Sequence, residues 1–249
     1  MWLERLVCSM KSTIKAELLK QKHTFHKKLI WIAPIITILI AFLLMGGAYI
    51  QNGAYNWWYM LILPGGLTMM TSFILVNDKK RKFHGLFNVL IDVKKLWYSK
   101  IAVSTIYLAL TCLIFFLGIT ISGVVFGSQI SVINSLIASI LLFTLFLWQI
   151  PLWMFISMKI NTEFSVILSI ICNFGISAIC AINSMWWIPF AIPARVMIQV
   201  IGVMPNGLNV EVGSNLINGN VMPLAIFISI ALYLTLSYLL AKWFEKQEV

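Results

Sequence analysis

Apolar runs of about 20 residues, each close to the length a helix needs to cross a hydrocarbon core of about 30 Å, recur along this chain between short polar breaks. That pattern restricts the fold more than anything else in the sequence. With 61% hydrophobic residues, 10% charged residues and a mean hydropathy of +0.94, the 249 residues offer too little polar surface to cover a globule in water. The bilayer must act as solvent, and a single transmembrane domain over residues 1–249 is expected. The expected fold is all-α, an integral membrane protein of six transmembrane helices, at about 29–50, 58–76, 101–126, 132–158, 164–181 and 221–240. About 28 polar residues precede the first apolar run, which is long enough to span, so that run is expected to stay in the protein.

The one long polar interruption is residues 77–100, NDKKRKFHGLFNVLIDVKKLWYSK, which opens with Lys79, Lys80, Arg81 and Lys82. From 83 to 97 the apolar residues Phe83, Leu86, Phe87, Leu90, Val93 and Trp97 recur at helical spacing, with His84, Asn88, Asp92 and Lys95 on the other side. A helix of roughly 15 residues is about 22 Å long, too short and too charged to cross. It is expected to lie at the inner membrane surface. Joined at both ends to spans, it suits a coupling helix that passes a push from a soluble partner into the membrane. The competing reading is a surface helix held down by lipid and anionic headgroups.

Residues 1–28 read as an interfacial helix, with Leu3, Leu6, Val7, Met10, Ile14 and Leu18 on one stripe. His23 and His26 have no third ligand nearby and read as solvated interfacial residues. Pro34 is expected in the opening turns of the first span, where its missing donor costs least. The stretch from Gln51 to Tyr59 reads as an uncharged turn in an aromatic interface belt, and Pro64, Gly65 and Gly66 as a kink or break at mid-depth. Residues 182–221 form the second informative stretch. Within it 185–204, MWWIPFAIPARVMIQVIGVM, is as apolar as a span but is interrupted by Pro189, Pro193 and Arg195. A straight lipid-facing helix would hold Arg195 near its centre at a cost of about 2.5–3.5 kcal/mol. Two short helices that dip into the outer leaflet and return are preferred, with a seventh span as the alternative. Trp186, Trp187, Pro189, Pro193, Arg195 and Glu211 become candidates for an outer gate or cargo contact.

Charge sets the orientation. Seven Lys and Arg fall in residues 1–28, seven in 77–100, one at Lys159 and two in the tail. Six spans with both termini cytoplasmic place every one of the 18 except Arg195 on the inner side. The net charge of +10 therefore records topology, and nucleic acid is not an expected partner.

Reactive constellations are missing. The sequence has no P-loop, no HExxH and no Ser, His and Asp set on neighbouring spans, so no catalytic residue is proposed and ATP would have to be hydrolysed elsewhere. The spans hold essentially no ionisable residue, which disfavours a proton relay or ion-coupled carrier. Cys8, Cys112, Cys172 and Cys180 form no CxxC pair, and neither a disulfide nor a metal site is expected.

An interfacial N-terminal helix, six spans, an amphipathic helix between spans two and three and a re-entrant segment before the last span together resemble the permeases of type-2 ABC exporters. The strings KAELLKQKHTFHKKLIWIAPI (15–35), NWWYMLILPG (56–65), IPFAIPARVM (188–197) and MPNGL (204–208) are similar to those of lantibiotic-immunity transporter permeases. The resemblance implies a permease subunit of an ATP-driven exporter that expels an antimicrobial peptide from the bacterial cell membrane and gives the producer immunity. It implies ABC ATPase subunits carrying ATP and Mg, a second permease chain that is often a different one, and no cofactor bound by this chain. Phe83 to Trp97 would be received by the ATPase, and 188–204 would form the outer gate. The same fold exporting lipid, polysaccharide or a small drug remains open, as does an ATP-independent membrane immunity protein.

Overall fold

The computed structural model describes residues 10–22, 24–47, 49–80, 93–211, 213–217 and 221–246. Among these the chain is helical apart from loops and a single β-bridge between Val203 and Asn209. The helices are α1 (Met10–Lys20), α2 (Phe25–Met45), α3 (Ile50–Trp57), a π turn (Trp58–Ile62), α4 (Leu63–Lys80), α5 (Val93–Phe126), α6 (Val132–Phe146), α7 (Gln149–Lys159), α8 (Thr162–Cys180), α9 (Ile192–Ile201) and α10 (Met222–Glu245). Five helical runs are long and apolar enough to cross a membrane: α2, Ile50–Leu75, α5, α8 and α10. Taken as one span, α6 and α7 bring the number to six. The chain is a multi-pass helical protein of the membrane type.

Proline chemistry explains the irregular points. Pro64 has no N–H for the carbonyl four residues back, and the preceding turn is π-wound, with the Leu63 N–H bonding the Trp58 carbonyl. The expected kink is thus absorbed as a π turn inside one continuous helical run. Pro151 likewise cannot serve the Leu147 carbonyl, which takes the Ile150 N–H at 3.1 Å instead, and α6 and α7 meet at 43°. Pro34 lies well inside α2 rather than in its opening turns, because α2 begins at Phe25.

The stretch from Gln51 to Tyr59 is helical and buried, not an interfacial turn. Trp58 stacks on Phe115 at 4.5 Å and 3°, Tyr55 meets the same ring edge-on at 5.1 Å, and the Tyr55 hydroxyl donates to the Ser135 carbonyl at 3.0 Å. Gln51 reaches across as well. Its Nε2 donates to the Ile119 carbonyl at 3.2 Å, and its Oε1 accepts from the Gln129 and Ile130 N–H groups at 2.7 and 2.9 Å. Gly123 makes room for it, since a Cβ there would overlap the Gln51 amide. Burial of the Gln51 amide and the Tyr55 hydroxyl is sustained because each finds partners.

The structure also sorts the two ends of the bundle. At one end Lys94 pairs with Glu245 at 3.0 Å, Lys159 lies over the Trp243 ring at 4.9 Å, and Trp97 packs on Phe244 at 5.1 Å. At the other end the turn after α5 is tied to Gln51, and the loop after α9 to Asn52 and Asn56. Lysines therefore gather at one end, as the charge pattern requires.

Candidate functional site

Two regions carry unusual chemistry, one at each end. At the lysine-rich end α4 finishes and α5 begins, on either side of residues 81–92. Of the expected coupling residues, Phe83, Leu86, Phe87 and Leu90 lie outside the described residues. Val93 and Trp97 are described, and both belong to α5, a 34-residue helix with no break before the apolar run. Their side chains are buried, with Trp97 fully enclosed, so they anchor the loop rather than face outward.

A cluster of buried charge lies beside them. Lys100 is completely buried on α5, and its Nζ donates to Glu17 Oε2 of α1 at 2.9 Å, to the Ile74 carbonyl of α4 at 3.2 Å, and to Asp78 Oδ2 of α4. Lys20 adds a contact to Glu17 Oε1 at 2.6 Å and lies 3.7 Å from Asp78. All three of Lys100's ammonium protons are thus used, which is the condition for holding an ion pair away from water. The cluster pins α1 to the last turns of α4 and the first turns of α5. The buried face of α1 is consequently Thr13 and Glu17, while Ile14 and Leu18 of the expected apolar stripe are only half-buried and Leu19 is exposed.

His26, expected to be solvated, is buried at the start of α2. It stacks on Phe73 at 5.6 Å and bonds Gln21 and Thr24, which fixes the α1–α2 corner against α4. No group of three metal-ligating side chains occurs among the described residues.

At the opposite end the chain leaves α8, turns through Ala181 to Ala191 and doubles back into the bundle. The Ser177 hydroxyl donates to the Phe190 carbonyl at 2.9 Å, and the Phe190 ring lies 4.9 Å from Trp148 at the α6–α7 bend. From there α9 runs outward again. Ten residues give about 15 Å, half of what a crossing needs, so α9 is too short to cross on its own. Only one short helix forms rather than two, because the stretch ahead of Pro193 is a series of turns. Gly202 closes α9 at φ +68°, a left-handed conformation that suits glycine. The loop after it is held down by Asn52 to Asn209 at 2.8 Å and by Asn56 to the Met204 and Pro205 carbonyls at 3.2 and 2.9 Å.

The six candidates for an outer gate do not form one surface. Trp187 and Glu211 are exposed, Trp186 and Pro189 half-buried, and Pro193 and Arg195 buried on α9. Arg195 and Glu211 make no salt bridge with each other. Between the two ends runs a polar seam that periodicity alone did not reveal. Gln149 of α7 donates to Asn173 of α8 at 2.8 Å, Trp153 donates to Gln149 at 2.9 Å, and the Ser169 hydroxyl donates to the Pro64 carbonyl at 3.3 Å. A Cβ at Gly65 would come within 3.1 Å of Ile170, so α4 and α8 sit at close approach there.

No family model matches the chain, and neither a curated protein nor a solved structure is significantly similar to it. The functional reading rests on geometry and sequence pattern.

Proposed function

We propose that the chain is the membrane-spanning permease subunit of an ATP-driven exporter of the type-2 ABC class, acting on an antimicrobial peptide in the manner of lantibiotic-immunity transporters. Residues 81–92 and the turns flanking them are the part that meets a separate ATPase, which binds ATP and Mg. A second permease chain completes the pathway. Both termini and this loop lie on the cytoplasmic face of the bacterial cell membrane.

The observation that supports the reading best is the buried cluster around Lys100. It joins α1, the end of α4 and the start of α5 into one corner at the two helix ends that residues 81–92 connect. Force applied to the loop would then move helices rather than bend a linker. The π turn ahead of α4 and the polar seam to α7 and α8 give that motion a packed route toward the segment around α9. Transport of a different amphiphile is the same mechanics with another cargo, whereas immunity by simple shielding needs no ATPase.

The separating experiment is survival of cells that carry the chain and its ATPase during exposure to a cationic amphiphilic peptide. Inactivating the ATPase is expected to return survival to the level of cells without the chain. Undiminished protection would contradict the exporter reading and favour a shielding protein.

A further inference from the structure

Arg195 poses a chemical problem that the fold leaves unanswered. It is only 8% exposed, and neither Nε nor Nη1 of its guanidinium has a hydrogen-bond partner among the described residues. A buried guanidinium with unpaired donors is held at a cost unless an anion completes it. Among the described residues no carboxylate is to spare there. Glu17 and Asp78 are engaged with Lys100, and Glu245 with Lys94, all at the lysine-rich end. Glu163 begins α8 at that same end, and Glu211 is exposed in the far loop without an ion pair to Arg195. Glu4, Asp92 and Glu248 lie outside the described residues.

No described residue supplies the counter-charge, and the site is left for an anion from outside the chain. We infer that Arg195 forms a binding site for the oxyanion of a membrane amphiphile, a lipid phosphate or a fatty carboxylate. Guanidinium matches either by its planar fork of donors, which pairs two oxygens at once. The surroundings select an amphiphile over a free ion. The elements packed against α9 are α6, α8, α10 and the π turn, and the outer faces of the three helices present Ile133, Ile140, Ile171, Phe174, Phe227 and Leu234 to the hydrocarbon. A soluble anion would be stripped of water with nothing to cover the site. An acyl tail laid along these faces covers it while the head reaches the guanidinium. The inference concerns this chain alone and holds whether or not an ATPase acts on it.

The test uses the full chain in dodecyl maltoside micelles, which carry no phosphate, with phosphatidylglycerol, oleate, or neither added, and with inorganic phosphate added to a fourth sample. Hydrogen exchange in peptides spanning 186–204 is expected to slow with phosphatidylglycerol or with oleate, and not with inorganic phosphate. The arm that gives protection names the headgroup. Native mass spectrometry is expected to show one retained anionic lipid, with affinity lowered about tenfold in Arg195→Gln, less in Arg195→Lys, and unchanged in Lys27→Gln with Lys28→Gln. Unchanged exchange at 186–204 in both lipid arms overturns the inference without any variant having to fold. So does equal retention by the wild type and Arg195→Gln, and protection by inorganic phosphate alone would replace the amphiphile with a soluble anion.

Discussion

Lys100→Met on its own is expected to destabilise the protein by about 3–5 kcal/mol, the usual cost of removing one partner from a buried ion pair. The substitution leaves Glu17, 1% exposed, and Asp78, 9% exposed, facing one another with only Lys20 to offset them. Lys20 is partly solvated and lies 3.7 Å from Asp78, so it relieves the repulsion incompletely. The triple variant Lys100→Met, Glu17→Gln, Asp78→Asn removes the stranded charge and is expected to recover most of the loss. Thermal unfolding of the two variants in detergent, followed by loss of the monodisperse peak, distinguishes them. Equal stability of single and triple variants would show that the cluster is not held as an ion pair.

Phe87→Asp and Leu90→Asp are expected to abolish transport and reduce co-purification of the ATPase to background, while membrane insertion is unaffected. A carboxylate on the apolar stripe places charge where a partner's pocket would have to desolvate it, a penalty of several kcal/mol without a pairing cation. Neither residue is part of an apolar run long enough to insert, so the spans are unaffected. Val93 and Trp97, on the same stripe, do not serve this test. They are enclosed within the bundle, where Trp97 packs on Phe244, and changing them perturbs stability first. Normal recovery of the ATPase with both aspartate variants would remove the coupling role from the stripe.

Hydropathy made the spans legible because each must present a long apolar surface whatever its neighbours do. The interruption at Pro189, Pro193 and Arg195 was legible for the complementary reason that prolines and a charge forbid a straight crossing, and the chain indeed doubles back there. The stretch from Gln51 to Tyr59 was not. Its Asn, Gly and aromatic residues favour turns locally, and only contacts with Phe115, Ser135 and the turn after α5 make them helical and buried. Lys100 was likewise read as the last polar residue of a loop, since its partners lie 83 and 22 residues away and no periodicity joins them. A faint signal existed. Glu17 and Asp78 are acids set among lysines beside apolar runs, where topology alone gives no reason for them. The break at Pro64 was visible, but neither the π turn that accommodates it nor the close approach of α8 at Gly65 is specified by sequence spacing.

The account depends most on which side of the membrane the loop between α4 and α5 occupies. In a background with Cys8, Cys112, Cys172 and Cys180 replaced by alanine, Lys82→Cys and Asn215→Cys would be exposed to a membrane-impermeant maleimide in intact cells. The account predicts that Asn215→Cys reacts at once and Lys82→Cys only after permeabilisation. Labelling of Lys82→Cys in intact cells would contradict it.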